Sequence, residues 1–335
     1  MAGANPLAAM PTMEGDLARV ELELRESVAS ENPYLTEIST HLISAGGKRI
    51  RPGFCIAAAA TALSSDLPAS PEVIAGGVSV ELVHLGSLYH DDVMDEAATR
   101  RTVASVNAVW GNHRAILAGD FLLARASEIA ASLGVEVAGL LAATISRLCE
   151  GQILELEHSY RPARTLEQYF RSIEGKTAAL LGTACRVGGL VAELPRDHTE
   201  FLTDFGRNYG TAFQIVDDVL DLVATADDLG KPAGHDLEEG VYTLPVIEAL
   251  GTDVGDELAA LLVDGIDPVQ RDRAIELVRT SGAIEVAIDA ARVRANAARD
   301  ALAPLPPSPG VRGLKAAAHY LVDSVEQAAG AREPV

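Results

Sequence analysis

The feature that most restricts what this chain can fold into is a pair of acidic strings set in apolar surroundings. Asp91, Asp92 and Asp95 stand at i, i+1 and i+4, and Asp217, Asp218 and Asp221 repeat that spacing 217 − 91 = 126 residues later. On a helix of 3.6 residues per turn, the first and last of each set project almost in line, one turn apart. Three like charges so close repel, and Asp is a poor helix-interior residue, so each set is costly unless a cation sits among its oxygens. A lone string of this kind reads as a solvated acidic face; two copies in matching apolar segments do not. Magnesium is usually held by one or two carboxylates plus substrate phosphates. Two such sites facing each other can clamp a diphosphate and stabilise it as a leaving group.

The rest of the chain agrees with a helical setting. Apolar residues recur at helical spacing over residues 14–30, 52–64, 71–95, 115–133, 135–158, 165–192, 195–223, 244–250, 267–281, 283–302 and 311–329, and strand-like alternation is nearly absent. With 48% hydrophobic and only 4% aromatic residues, the chain can bury a large core built from aliphatic side chains, and the expectation is an all-α protein. Its 335 residues suggest roughly two domains on length alone, yet no linker or repeat marks a boundary. Residues 1–13 are expected to be a flexible tail, and residues 226–242 a long loop rich in Gly and Asp. The first sixteen residues fail the signal-peptide template, and no uninterrupted apolar run reaches about 18 residues, which points to a cytoplasmic protein. Cys55, Cys149 and Cys185 lie in apolar surroundings without ligand spacing and read as buried free thiols.

The charge balance of 27 − 48 = −21 disfavours nucleic acid as a partner. The basic residues that do occur are therefore informative. Lys48, Arg49 and Arg51 accompany a glycine pair in GGKRIRP; Arg100 and Arg101 follow the first acidic string; Lys176 and Lys231 fall in the second half. Interleaved with metal ligands, they can bind two diphosphates, one through metal and one directly. Gln214 stands one turn before Asp218 on the same helix face, and His84, seven residues before Asp91, shares the face of the first string, with Glu81 placed to fix its tautomer. Trp110 reads as packing.

In order, GGKRIRP, ELVHLGSLYHDDVMDEAATRR, AILAGDFLLARA, EGQILE, Lys176-Thr177, FQIVDDVLD and GKPAGHDLEEGVYTLP resemble the trans-isoprenyl diphosphate synthase (polyprenyl synthetase) family over about two hundred residues. The resemblance implies a single-domain helical bundle with a central cavity, the type I isoprenoid synthase fold, usually dimeric. It implies magnesium, three ions per site, on Asp91, Asp92, Asp95, Asp217, Asp218 and Asp221. It assigns Lys48, Arg51, His84 and Arg101 to isopentenyl diphosphate, and Arg100, Lys176, Thr177, Gln214 and Lys231 to the allylic diphosphate. The implied reaction is ionisation of the allylic diphosphate, attack by the double bond of isopentenyl diphosphate, and loss of a proton, with Gln214 and Thr177 facing developing positive charge. Two departures stand out: Val241 occupies the place of a lysine common in the family, and Ser324 that of an arginine.

Gly86 and Ser87, one turn before Asp91, are expected to wall the tunnel for the growing chain. Both are small where short-chain members of the family that the chain resembles carry bulky aromatic residues, so the resemblance implies a medium- or long-chain product, as for a quinone side chain, with transient membrane contact on product release; Tyr89 should not obstruct. Geranylgeranyl or farnesyl diphosphate synthase is the alternative within the same chemistry. A class I terpene cyclase would carry a different second motif, and a non-catalytic subunit of a heteromeric synthase would have lost one aspartate string; both strings are intact.

Overall fold

The computed structural model describes residue 7, residues 9–223 and residues 233–330, the last seven as backbone alone; Lys231 and the Ser324 side chain lie outside that description. Helix starts are written in capping chemistry. Asn32 accepts from the Tyr34 amide with Pro33 in the first turn, Ser70 accepts from Val73 ahead of Pro71, and Thr165 and Asp267 each open a capping box. The order is α1 (Met13–Ser27), α2 (Pro33–Ser44), α3 (Ile50–Ala59) and α4 (Pro71–Met94), then a hairpin of β1 (Thr99–Arg100) and β2 (Val103–Ala104). After it come α5 (Val106–Trp110), α6 (Asn112–Ser132), α7 (Val135–His158), α8 (Leu166–Ile173), α9 (Ala179–Val191) and α10 (Arg196–Val223). The C-terminal part holds α11 (His235–Glu238), α12 (Leu244–Leu250), α13 (Gly255–Leu261), α14 (Pro268–Thr280), α15 (Ala283–Ala301) and α16 (Pro309–Gly330).

Helices α3, α4, α9 and α10 form the middle of the bundle, with α6 on α4 and α15 on α10. Two glycines allow their backbones to touch. A Cβ at Gly188 of α9 would collide with the Cys55 carbonyl of α3, and one at Gly206 of α10 would lie 2.6 Å from the Leu181 carbonyl of α9. Side chains of residues 52–59 are all buried, so α3 is the core helix. One continuous hydrophobic cluster runs from Leu7 to Leu321.

The all-α expectation holds, with a four-residue hairpin as the exception among the described residues. Several finer expectations do not. Within the expected tail, Leu7, Met10 and Met13 are buried, Leu7 over Gly53 and Met10 over Gly313, because small residues leave room for their side chains. Helices α2, α5, α11 and α13 are additions to the expected set; α11 falls in the expected loop 226–242, of which residues 226–232 lie outside the described residues, and Asn32-Pro33 was the legible signal for α2. The expected helix over 165–192 is interrupted by a π-helical turn, Glu174–Ala178. Cys55 and Cys185 are buried, their thiols pushed up by burial, to about 12 for Cys55. Cys149 is exposed, because the apolar face of α7 points outward. That helix is long and apolar enough to cross a membrane by length and composition. In the structure it packs on α6, α8 and α9.

Candidate active site

A cleft opens between α7, the π turn, α10 and the segment after α11. It is lined by Glu155, Arg164, Tyr169, Ile173, Lys176, Thr177, Gln214, Asp218, Asp236, Glu239, Val241 and Thr243. The π turn is what presents two consecutive residues to it. Such turns carry an extra residue and recur at functional sites. Gly151 of α7 and Gly175 of the turn meet backbone to backbone: a Cβ on Gly175 would lie 2.9 Å from the Arg147 carbonyl, and one on Gly151 would collide with the Lys176 amide nitrogen. This contact sets Lys176 beside Glu155, one turn beyond Gly151, and Nζ donates to Glu155 Oε1 at 2.6 Å. Burial works against the Lys176 ammonium, yet Glu155, Asp91 and Asp95 hold its pKa above the ordinary value.

Across the cleft, Thr177 donates to Gln214 Oε1 at 2.7 Å, and Gln214 Nε2 donates to Asp218 Oδ1 at 2.9 Å. The Tyr169 hydroxyl donates to the other oxygen of Asp218 at 2.6 Å. Burial pushes Asp218 up to about 7, although both donors favour its charged form. Asp221 is buried behind it, accepting the Asp236 amide at 3.2 Å, while Asp217 is exposed.

The first acidic string ends α4, where the helix dipole already favours cations. Asp91 is half-buried, and burial raises its pKa against the pull of Lys176 and Arg100. Asp95 caps the helix and is pushed up to about 6, by desolvation first and then by Glu239. Arg100, on β1, donates to Asp92 Oδ1 at 2.6 Å; Asp92 Oδ2 is buried and accepts nothing. Among the described residues no three acidic, His or Cys side chains already converge as a ligand cage. The donors are hard carboxylate oxygens on two helices, a set that suits a magnesium ion completed by phosphate oxygens.

A second, cationic group lies beside α3. Arg51 is half-buried; desolvation and Arg101 lower its pKa to about 10, and its Nε has no partner. Arg101 donates to the Gly46 carbonyl and lies where any side chain on Gly47 would reach. Burial first, then Arg51, Arg101, Arg49 and Arg100, hold the His84 pKa well below 6.5, so its imidazole is neutral near pH 7. Lys48 is exposed at the rim. Glu81 does not serve His84: it is taken by Arg49, whose Nη1 donates to it at 3.0 Å while Nε bonds Glu21 and Nη2 the Ile43 carbonyl. Arg49, a left-handed residue at the start of α3, thus ties α1, α2 and α4 together.

The sequence-derived residues therefore fall into two neighbouring groups rather than one. Gly86 serves the α4–α6 crossing, since a Cβ there would lie 3.1 Å from the Gly119 carbonyl; Ser87 is half-buried and donates to the His84 carbonyl at 2.8 Å. Tyr89 turns away, donating to the Ile38 carbonyl, and Trp110 packs edge-on against His41. Glu155, Arg164, Tyr169, Asp236 and Glu239 escaped the sequence reading. Glu155, Asp236 and Glu239 sit inside quoted motifs; Arg164 belongs to no motif and nothing local marks it.

An acidic cleft beside a cluster of cationic side chains, inside a bundle of helices, suits polyanionic ligands held away from water. The polyprenyl synthetase family profile matches residues 32–275, and the chain belongs to that family. It is 40% identical over 313 residues to a nonaprenyl diphosphate synthase from Mycobacterium tuberculosis, covering 91% of each chain. Its fold is similar to a decaprenyl diphosphate synthase from Rhodobacter capsulatus, with TM-score 0.87, 34% identity and 95% and 98% coverage. It is also similar to a polyprenyl synthase from Caulobacter crescentus solved with calcium and isoprenyl diphosphate, with TM-score 0.88, 31% identity and 96% and 99% coverage.

Proposed function

We propose that the chain condenses isopentenyl diphosphate with an allylic diphosphate, head to tail and in trans, to give a medium- or long-chain polyprenyl diphosphate. The observation that carries this reading is the pairing of an acidic, hydrogen-bonded cleft with a separate cluster of Arg51, Arg101 and neutral His84. One polyanion bound through metal and one bound directly need that division of charge. The nonaprenyl and decaprenyl synthases among its relatives support the longer product. The small, half-buried Ser87 supports it too, and a farnesyl or geranylgeranyl product is the alternative.

Asp91, Asp95 and Asp217 would hold magnesium, three ions per site, with Asp92, Asp218 and Asp221 beside them. The metal supplies charge neutralisation of the allylic diphosphate. The chain's own groups do the positioning. Lys176 and Arg100 offer charge-assisted hydrogen bonds to the same phosphates, and Tyr169 and Gln214 hold Asp218 in one orientation. The Gln214 oxygen, already accepting from Thr177, presents its remaining lone pair toward developing positive charge. In the second pocket the neutral His84 donates one hydrogen bond, and Lys48, Arg51 and Arg101 supply charge. The buried helices around both pockets keep water from the cation.

Two exposed apolar faces, Ile116 and Leu117 on α6 and Ile153 on α7, support a homodimer. Purified protein incubated with magnesium, labelled isopentenyl diphosphate and each allylic primer, with the products sized by chromatography, tests the function. Polyprenyl diphosphates longer than four isoprene units are expected. No condensation with any primer would overturn the reading, and a product of three or four units would turn it to the alternative.

A further inference from the structure

Arg164, in the turn between α7 and α8, is 4% exposed and lines the cleft. Its Nη1 donates to the Tyr242 carbonyl at 3.0 Å, and its guanidinium carbon stands 5.6 Å from the centre of the Tyr169 ring, whose hydroxyl holds Asp218. Its Nε and Nη2 are buried and have no hydrogen-bond partner. Donors left orphaned on a buried guanidinium are costly, so an arrangement that keeps two of them makes sense if a ligand satisfies them. Arg164 and Lys176 are the cations among the lining residues, and Lys176 is already engaged with Glu155. Val241, next to Tyr242, lines the same wall with an apolar side chain.

We propose that Arg164 is a substrate-binding residue whose free Nε and Nη2 form a fork for the diphosphate held in this cleft, supplying from the α7–α8 turn the cation that position 241 lacks. The Tyr242 carbonyl and the Tyr169 ring fix the guanidinium plane, which suits two parallel bonds to phosphate oxygens. The inference rests on the proposed function for the identity of the substrate, although inorganic diphosphate with magnesium is enough to test the fork itself.

Calorimetric titration of inorganic diphosphate and magnesium into wild type, R164Q, R164K and R164Q/V241K, with steady-state kinetics of the same proteins, decides the matter. R164Q is expected to weaken diphosphate about tenfold and to raise KM for the allylic primer in step, leaving KM for isopentenyl diphosphate within about twofold. R164K, which keeps the charge and can keep the Tyr242 bond, should fall between. The added lysine of R164Q/V241K should recover most of the loss. Undiminished diphosphate affinity in R164Q would overturn the proposal, as would an equal rise in both KM values without rescue, because a bracing role disturbs both pockets alike. If R164Q does not fold, wild-type affinity in R164K overturns it. Wild-type protein that binds diphosphate yet makes no prenyl product would fault the functional reading and leave the fork standing.

Discussion

His84 illustrates how much one side chain reports on its surroundings. Four arginines, at 49, 51, 100 and 101, face it, and its pKa is held well below that of the unfolded chain. The unfolded state therefore takes up a proton that the folded state refuses, and stability falls as pH drops below about 6.5. Thermal unfolding without metal, followed from pH 7.5 to 5.5, should show a smaller loss in His84→Asn than in wild type; parallel curves would mean that the cationic pocket is screened. The carboxylates oppose this trend, since raised values at Asp95 and Asp218 add stability on acidification, and comparison of the two proteins cancels them. A second prediction concerns those acids directly. Asp91→Ala and Asp217→Ala should each lower turnover by several orders of magnitude while leaving the unfolding midpoint near that of wild type, because each removes a ligand needed in the transition state. Near-normal turnover in either variant, or activity in excess chelator, would refute the ligand assignment.

At the scale of elements, glycines decide where helices meet. Gly151→Ala should cost both stability and at least tenfold in turnover, since the clash is with the backbone of the π turn and no rotamer relieves it. Gly139 on the same helix has nothing within 4 Å, so Gly139→Ala should stabilise by about 0.5–1 kcal/mol. Denaturant midpoints of the two variants, moving in opposite directions, check the claim. Ser87→Phe tests the tunnel: a ring there should shorten the product while the first condensation continues, and an unchanged product at normal rate would place the tail elsewhere. The two acidic strings, the basic motifs and most helix spans were legible in the sequence because each is a local pattern. Glu81's true partner was not, since Arg49 reaches it across 32 residues and only the meeting of α1, α3 and α4 brings them together. Arg164 was hidden for the same reason, its partners lying in Tyr242 and Tyr169. The π turn was hidden by periodicity itself, which reads residues 165–192 as one helix. Gly86 was read as tunnel space, whereas what the fold shows at it is close contact with Gly119 and Leu123 of α6.

For the whole molecule, the outward apolar residues of α6 and α7 predict association. Leu117 is 65% exposed and Ile153 56%, on helices that pack against each other. Sedimentation of wild type at micromolar concentration should give a dimer, and Leu117→Asp should shift it toward monomer by setting like charges against each other; a monomeric wild type would dismiss the second copy as the partner of this face. The surplus residue between α8 and α9 has one more consequence. Removing a single residue there, at Gly175, would let the two segments join as one uninterrupted helix with their faces still in phase, because the wider turn has already absorbed the surplus residue's rotation of about 100°. A missing codon would thus spare the fold at this point and damage it in the flanking helices, where it turns one packed segment against the other by about 100°. Across a library of one-residue deletions over 166–191, the five positions of the turn should keep the most stability while losing activity, since Lys176 and Thr177 would be displaced from the cleft.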